Sequence, residues 1–359
     1  MSTPETGAGQ AGTLLRASGG GGILPSWATY GTVFGSAVVA AGVLSVLGIF
    51  TIGLFVVATV IVACIATYAW SRSVEGPRRA KDRLMTMSIA SAFGLAMIPL
   101  FSLLYTVVSK GLNRFDVEFF TESARGVIGA GGGASHAILG TIIITGVATI
   151  IAVPIGLMAA IYLNEYGGES RLRRALTFFV DVMTGIPSIV AGLFAYALFE
   201  IFFGPGIRLG IMGSVALSVL MIPIVIRSSE EILKIVPNHL REASYALGTP
   251  KWKTITKVVL PTALAGLVTG IMLAIARIVG ETAPLLVTTG VIDSVNTNPF
   301  DGRMQNLAVY AFNEYKNPGV PPEPSFDRAW TAVLVLILIV MILNLAARFV
   351  YRRFGTEIR

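Results

Sequence analysis

Residues 227–261 read RSSEEILKIVPNHLREASYALGTPKWKTITKVVLP, a polar stretch set between the apolar runs 211–226 and 261–287. It is punctuated as short helices. Ser228 and Glu231 have capping-box spacing, Pro237 suits a first helical position, Gly248 suits the end of that helix, and Thr249 with Pro250 opens another. In the middle helix Leu240, Ala243, Ala246 and Leu247 recur at i, i+3 and i+4, with Arg241 and Glu242 off that line. The result is a narrow apolar face of mostly small side chains, which suits close docking. A loop helix packed on its own bundle would show the same periodicity, so the spacing alone leaves the partner open.

Outward from this loop the chain offers eight apolar runs: 28–47, 53–70, 85–109, 137–163, 175–202, 211–226, 261–287 and 329–349. A hydrocarbon core of about 30 Å takes about 20 helical residues, so eight membrane helices are expected. The composition agrees: 54% of the 359 residues are hydrophobic, 13% are charged and the mean hydropathy is +0.76, against roughly 25% charged in a soluble domain. A soluble globule and a charged disordered chain are both excluded. The single Cys64 lies in an apolar run as a small packing residue, and with only two histidines a His/Cys metal site is not expected.

The net charge of +7 would suit nucleic acid if it were clustered on one face. Instead it falls in every second connection: Arg72, Arg78, Arg79, Lys81 and Arg83; then Arg171, Arg173 and Arg174; then Arg227, Lys234, Arg241, Lys251, Lys253 and Lys257; then Arg348, Arg352, Arg353 and Arg359. Such alternation is the positive-inside pattern, so both termini are expected in the cytoplasm and no nucleic acid is expected as partner. Residues 1–27, rich in Gly, Ser and Thr, read as a cytoplasmic tail without signal-peptide organisation. Residues 28–84 read as a transmembrane hairpin with a basic linker, and 85–359 as the main transmembrane domain, with the loop 227–260 inside it. The Gly129 to Gly133 cluster lacks the Lys-Ser/Thr ending of a phosphate-binding loop, so the chain is expected neither to hydrolyse ATP nor to need a cofactor.

Glu242-Ala243-Ser244, Gly248 and Val258-x-Leu260-Pro261 resemble, at the same spacing, the EAA loop of permease subunits of bacterial ABC importers. The departures are Ser244 for the second alanine and Val258 for isoleucine. Three further segments, 161–166 (IYLNEY), 185–193 (GIPSIVAGL) and 276–286 (ARIVGETAPLL), look like the phosphate-importer permease of the PstA type, and the likeness runs from about Ile98 onward. The resemblance implies an all-α, polytopic, type I ABC importer permease fold of six core helices, to which the first two spans are an addition. It also implies that Glu242, Ala243, Ser244 and Gly248 dock on an ATPase, and that the partners are a PstC-like second permease, two PstB-like ATP-binding subunits and a PstS-like phosphate-binding protein. The plasma membrane is the implied location.

Arg277 is the only Lys or Arg well inside a run, where leaving it unpaired costs about 2.5–3.5 kcal/mol on insertion scales. Glu281 follows at i+4, close enough to pair, and a guanidinium is a planar fork suited to phosphate oxygens. Arg277, Glu281, Thr282 and Ser188 are therefore the candidate pathway residues, against a purely structural buried pair. Pro284 removes a helical hydrogen bond, and Pro187-Ser188 interrupts the fifth run, either as a kink or with its hydroxyl on the pathway. Asp181 and Glu200 read as solvated span ends, Arg227 as a snorkelling residue, and His136 and His239 as isolated loop histidines without a site. Other readings of the chain are a permease for phosphonate, sulfate or molybdate, an ion-coupled secondary transporter using Arg277 and Glu281, and a structural or sensory membrane protein.

Overall fold

A computed structural model describes residues 24–354 apart from position 26, with side chains through Phe349. The expected tail thus lies, up to residue 23, outside the described residues, as do the side chains of Arg352, Arg353 and Arg359. Every regular element among the described residues is helical, as the apolar runs require: in hydrocarbon a helix satisfies its own backbone groups. Seven helices are long and apolar enough to cross a membrane, and one bent pair adds an eighth candidate. The chain forms two compact units, Met1–Leu104 and Tyr105–Arg359.

The first unit contains α1 (Trp27–Val46), α2 (Ile52–Val74) and most of α3 (Pro77–Gly111). Ser36, Ala40 and Leu44 of α1 and Ala63, Thr67 and Ser71 of α2 are buried, each set at four-residue spacing. Small side chains in register let the two helices approach closely, and Thr32 and Thr67 join hydroxyls at 3.0 Å. At the end of α2, Glu75 accepts from the Leu24 amide at 2.8 Å, the Ser71 hydroxyl at 2.6 Å and Arg83 at 2.7 Å. The Ser71 hydroxyl foremost, with the Leu24 amide and Arg83, holds this carboxyl down at about 2 against the opposing effect of burial. A depressed carboxyl contributes its stability above its unfolded pKa and loses it as pH falls through the folded one, so this tie is fully present at neutral pH.

The second unit is built on α5 (Ser135–Ile161) and α8 (Gly210–Ile235). Gly140, Ile144, Ala148, Ala152, Gly156 and Ala160 form a buried ridge on α5, one residue every four. On α8, Gly213, Leu217, Met221 and Val225 answer at the same spacing. Ser214 and Ser218 donate across the seam to the carbonyls of Ile144 at 3.0 Å and Ala148 at 3.3 Å. Around this pair lie α4 (Val117–Thr121), α6 (Arg171–Thr184), α7 (Ser188–Phe203), α9 (Asn238–Ala246), α10 (Lys251–Thr254), α11 (Leu260–Val279), α12 (Ala283–Thr288), α13 (Leu307–Lys316) and α14 (Glu323–Phe354).

Three expected spans differ from the structure. The fifth, 175–202, is two helices, α6 and α7, meeting at 109°, because Gly185 ends one and Pro187 precedes the other. The sixth continues to Ile235. Ser228 and Glu231, expected as a capping box, are mid-helix residues there, and the Ser228 hydroxyl bonds back to the Val225 carbonyl at 3.3 Å. The seventh starts earlier, at Lys251, passes through a π-helical turn (Ile255–Val259) and stops at Val279 instead of 287.

The glycines of α5 give a controlled test of the seam. A Cβ on Gly156 would lie 2.7 Å from Val225 Cγ1 of α8, whereas one on Gly146 meets nothing within 4 Å. Gly156→Ala should lower the thermal midpoint of the detergent-purified protein, an overpacking cost of about 1–3 kcal/mol. Gly146→Ala should raise it, by up to about 1 kcal/mol of helix propensity. Equal effects at the two positions would contradict the seam.

Candidate functional site

Two regions gather the residues singled out by the sequence. The first is a pair of helix breaks. α11 ends at Val279, Gly280 follows as its cap, and α12 begins at Ala283 with Thr282 as its N-cap. A six-residue helix has little cohesion of its own, so its neighbours must seat it. Both do so by lacking a side chain: a Cβ on Gly192 of α7 would lie 2.6 Å from Pro284 Cα, and one on Gly213 of α8 would lie 2.3 Å from Thr289 Cγ2. Ser188, the first residue of α7, stands one turn before Gly192 and is half-buried.

Because α11 stops before Glu281, the helical i+4 relation between Arg277 and Glu281 does not exist. Their expected ion pair is not formed: among the described residues no carboxylate is paired with Arg277, which is exposed on the chain. The Glu281 amide closes the helix end on the Ile278 carbonyl at 3.1 Å, and its own carbonyl accepts from Asn306 at 3.4 Å. The structural-pair reading of Arg277 therefore loses its partner, and a guanidinium on an apolar helix is left with all its donors free.

Farther along α8, Arg227 bonds Asp181 of α6 and lies 3.0 Å from Glu230, which also takes Lys234 at 2.7 Å. Asp181, expected as a solvated span end, and Arg227, expected to snorkel, are thus partners. The expected loop residue His136 is the second residue of α5, buried against the Tyr310 ring at 5.3 Å between centroids. His239 is exposed in the first turn of α9. The Gly129 to Gly133 cluster has a structural use: Arg328 donates to the carbonyls of Gly129 at 2.8 Å and Gly131 at 3.1 Å, and Arg114 to that of Gly132 at 2.6 Å.

The second region is the loop carrying Glu242, Ala243, Ser244 and Gly248. α9 begins after Pro237 and ends at Ala246. Its end is a Schellman closure, with Gly248 at φ +71° donating to the Tyr245 carbonyl at 2.9 Å and Thr249 to the Ser244 carbonyl at 3.2 Å. The expected apolar face is divided. Leu240 turns inward, packing with Leu233, Val236 and Val259, while Ala243, Ala246 and Leu247 stay exposed. Glu242 is exposed as well, but Ser244 is buried and shares a hydrogen bond of 2.9 Å with Thr254. Ser244 thus fixes the loop from within, while Glu242, Ala243 and Gly248 stay exposed.

The residue that sequence reading missed is Glu165. It lies in the π-helical turn Tyr162–Tyr166 closing α5 and accepts from Arg241 at 2.8 Å. Arg241 also donates to the carbonyls of Leu233 at 3.0 Å and Val236 at 2.6 Å, at the end of α8. One buried guanidinium therefore joins the loop helix to both central helices. Its only sequence signal was the quoted 161–166 segment, whose Glu165 has no visible partner until the chain folds. Removing one member of a buried pair costs about 3–5 kcal/mol, whereas removing both is often neutral. Arg241→Met should accordingly speed amide hydrogen exchange across Asn238–Ala246, and adding Glu165→Met should restore part of the protection. No recovery in the double variant would mean that the carbonyl bonds, and not the ion pair, hold α9.

The comparisons with known proteins fit this geometry. The family described as "Binding-protein-dependent transport system inner membrane component" matches residues 152–359. A phosphate transport system permease protein PstA 1 of Mycobacterium tuberculosis is 46% identical over 282 residues, covering 77% of this chain and 91% of that protein. A PstA of Yersinia pestis is 40% identical over 288 residues, covering 79% and 94%. Among solved structures, a bacterial ABC transporter involved in the import of the acidic polysaccharide alginate has a TM-score of 0.53 at 13% identity, covering 77% of this chain and 97% of that one; that likeness concerns the fold alone. The chain is a multi-pass inner membrane permease that belongs to the binding-protein-dependent transport family and, within it, to the PstA phosphate transport system permeases.

Proposed function

We propose that this chain is the transmembrane permease subunit of an ATP-driven phosphate importer, forming half of the translocation pathway and taking its driving force from a separate ATPase. The observation that carries the pathway is Arg277: a guanidinium on a membrane helix, without a partner among the described residues, three residues before a helix break. That leaves its planar fork free for a phosphate oxygen pair. Thr282 and Ser188 stand at the two breaks and offer hydroxyls, and Glu281 serves as a nearby restraint. The ion-coupled alternative drew on an Arg277 and Glu281 pair, which this fold does not make.

The ATPase is proposed to dock on exposed Ala243, Ala246 and Leu247, flanked by Glu242 and the Gly248 turn. The other proposed partners are a PstC-like permease, completing the pathway, and a PstS-like phosphate-binding protein. The Lys/Arg-rich connections support an orientation with this loop and both termini in the cytoplasm.

Docking on a small-residue face makes its own demand. Ala243→Leu adds bulk to an exposed position, so it should leave membrane abundance unchanged while uncoupling ATP hydrolysis from phosphate uptake in the reconstituted importer. Ala243 is the cleaner position for this test than Gly248, where any side chain also meets a left-handed backbone costing about 1–2 kcal/mol. Normal coupled uptake by Ala243→Leu would contradict the assignment.

The pathway reading is tested by charge-conserving change. Arg277→Lys keeps a cation and should insert normally, yet lose at least tenfold in radiolabelled phosphate uptake at matched abundance, with Glu281→Gln milder. Full uptake by an Arg277→Met variant would remove Arg277 from the pathway.

A further inference from the structure

Beyond the break after Val279, the opposite end of α12 carries a second concentration of positive charge. Arg208, in the turn before α8, sends its Nη1 to the carbonyls of Leu286 at 3.1 Å and of Val287. It thereby caps the C-terminal end of α12, where bare carbonyls carry partial negative charge. Its guanidinium also lies 5.9 Å from the centre of the Tyr196 ring. The main chain then turns at Gly290. A Cβ there would stand 3.0 Å from Arg208 Cδ and 3.2 Å from Arg303 Cδ, so the two arginine stems straddle one glycine with their Cδ atoms within about 6 Å of each other.

Among the described residues neither Arg208 nor Arg303 forms an ion pair; Asp293 and Asp301, in the same connection, pair with neither. Arg303 is exposed and its side chain makes no hydrogen bond, while Arg208 is half-buried with Nε and Nη2 uncommitted. Like charges on neighbouring stems repel, and a fixed guanidinium whose neighbour's stem ends in an uncommitted one offers an oxyanion charge-assisted bonds. α12 spans six residues, about 9 Å at the helical rise, and separates this pair from Thr282, Glu281 and Arg277 at its other end.

We propose that Arg208 and Arg303 form a second anion site, taking a tetrahedral phosphate oxyanion at the far end of α12 before it reaches Arg277. Arg208 is the preorganised half, held by the helix carbonyls, and Arg303 the half that closes on the ligand. The inference rests on the phosphate-permease reading and adds a receiving station to it. Arg208→Gln also strips α12 of its donor, so Arg303→Gln, at an exposed side chain without a partner among the described residues, is the deciding variant.

The test is equilibrium binding of radiolabelled inorganic phosphate to the full importer complex in neutral detergent, without ATP and without binding protein. The wild type should bind, Arg303→Gln should bind at least tenfold more weakly, Arg303→Lys should fall between, and Arg277→Gln should keep the outer binding. Unchanged phosphate affinity in Arg303→Gln overturns the site. So does unchanged affinity combined with lost stimulation by the binding protein, which would make the arginines a protein contact. Displacement of the label by phosphatidylglycerol vesicles but not by phosphatidylcholine would identify a lipid headgroup as the occupant and overturn it as well. A wild-type importer that carries phosphate in proteoliposomes yet binds none here overturns the site and leaves the function standing. One that carries no phosphate overturns the function itself.

Discussion

The close approach of α5 and α8 is the constraint on which the second unit depends. In a bilayer, apolar side chains gain nothing by leaving lipid for one another, so helix association rests on van der Waals fit and hydrogen bonds across the contact. Gly140, Ala148, Ala152, Gly156 and Ala160 supply the fit by keeping one side of α5 nearly smooth. Ser214 and Ser218 supply the bonds, each turned to a carbonyl of the other helix. These serines also bond within their own helix, to the carbonyls of Gly210 and Ser214, so neither hydroxyl is stranded in hydrocarbon.

Both functional regions hang from this seam. At one end Gly140 admits the Gln305 backbone, the Thr141 hydroxyl accepts the Leu307 amide at 2.7 Å, and Gly213 opens the space in which Thr289 and Leu285 settle. That end therefore fixes α12, and with it the breaks beside Arg277 and the clamp on Arg208. At the other end α5 closes in the turn bearing Glu165, α8 closes on the carbonyls of Leu233 and Val236, and Arg241 gathers all three. The loop helix is thus bolted to the same two helices that position the break.

Much of this was legible in the sequence, for reasons that differ by feature. Long apolar runs announce spans because the bilayer tolerates little else, and the end of α9 was visible because a left-handed turn demands a residue like Gly248. The broken fifth and seventh spans were harder. Hydropathy is blind to a helix that bends while staying apolar, so the 109° angle at Gly185 to Pro187 and the stop at Val279 had only Gly and Pro as hints. The capping-box expectation at Ser228 failed because local spacing yields to a helix already committed by its packing, and α8 runs on through it. Tertiary pairings such as Arg241 with Glu165, or Arg227 with Asp181, join residues 76 and 46 positions apart. No local pattern encodes them.

The same distinction explains the placement of unpaired charge. Arg114, Arg227, Arg241 and Arg328 each have a carboxylate partner, and Arg114, Arg241 and Arg328 take main-chain carbonyls besides. Arg277, Arg208 and Arg303 have no carboxylate, although Glu281, Asp293 and Asp301 lie close to them in sequence. Arg78, Arg79, Arg171 and Arg174 in the basic connections also lack a carboxylate among the described residues; Arg208 and Arg303 differ from them by standing at the C-terminal end of α12, and Arg277 by preceding the break before that helix. An oxyanion passing along that short helix would meet guanidinium groups with no competing carboxylate, first at one end and then at the other. Had Glu281 stayed in register on a continuous α11, it would have stood at i+4 to compete with any anion for Arg277; the break after Val279 removes that register and leaves the two unpaired among the described residues.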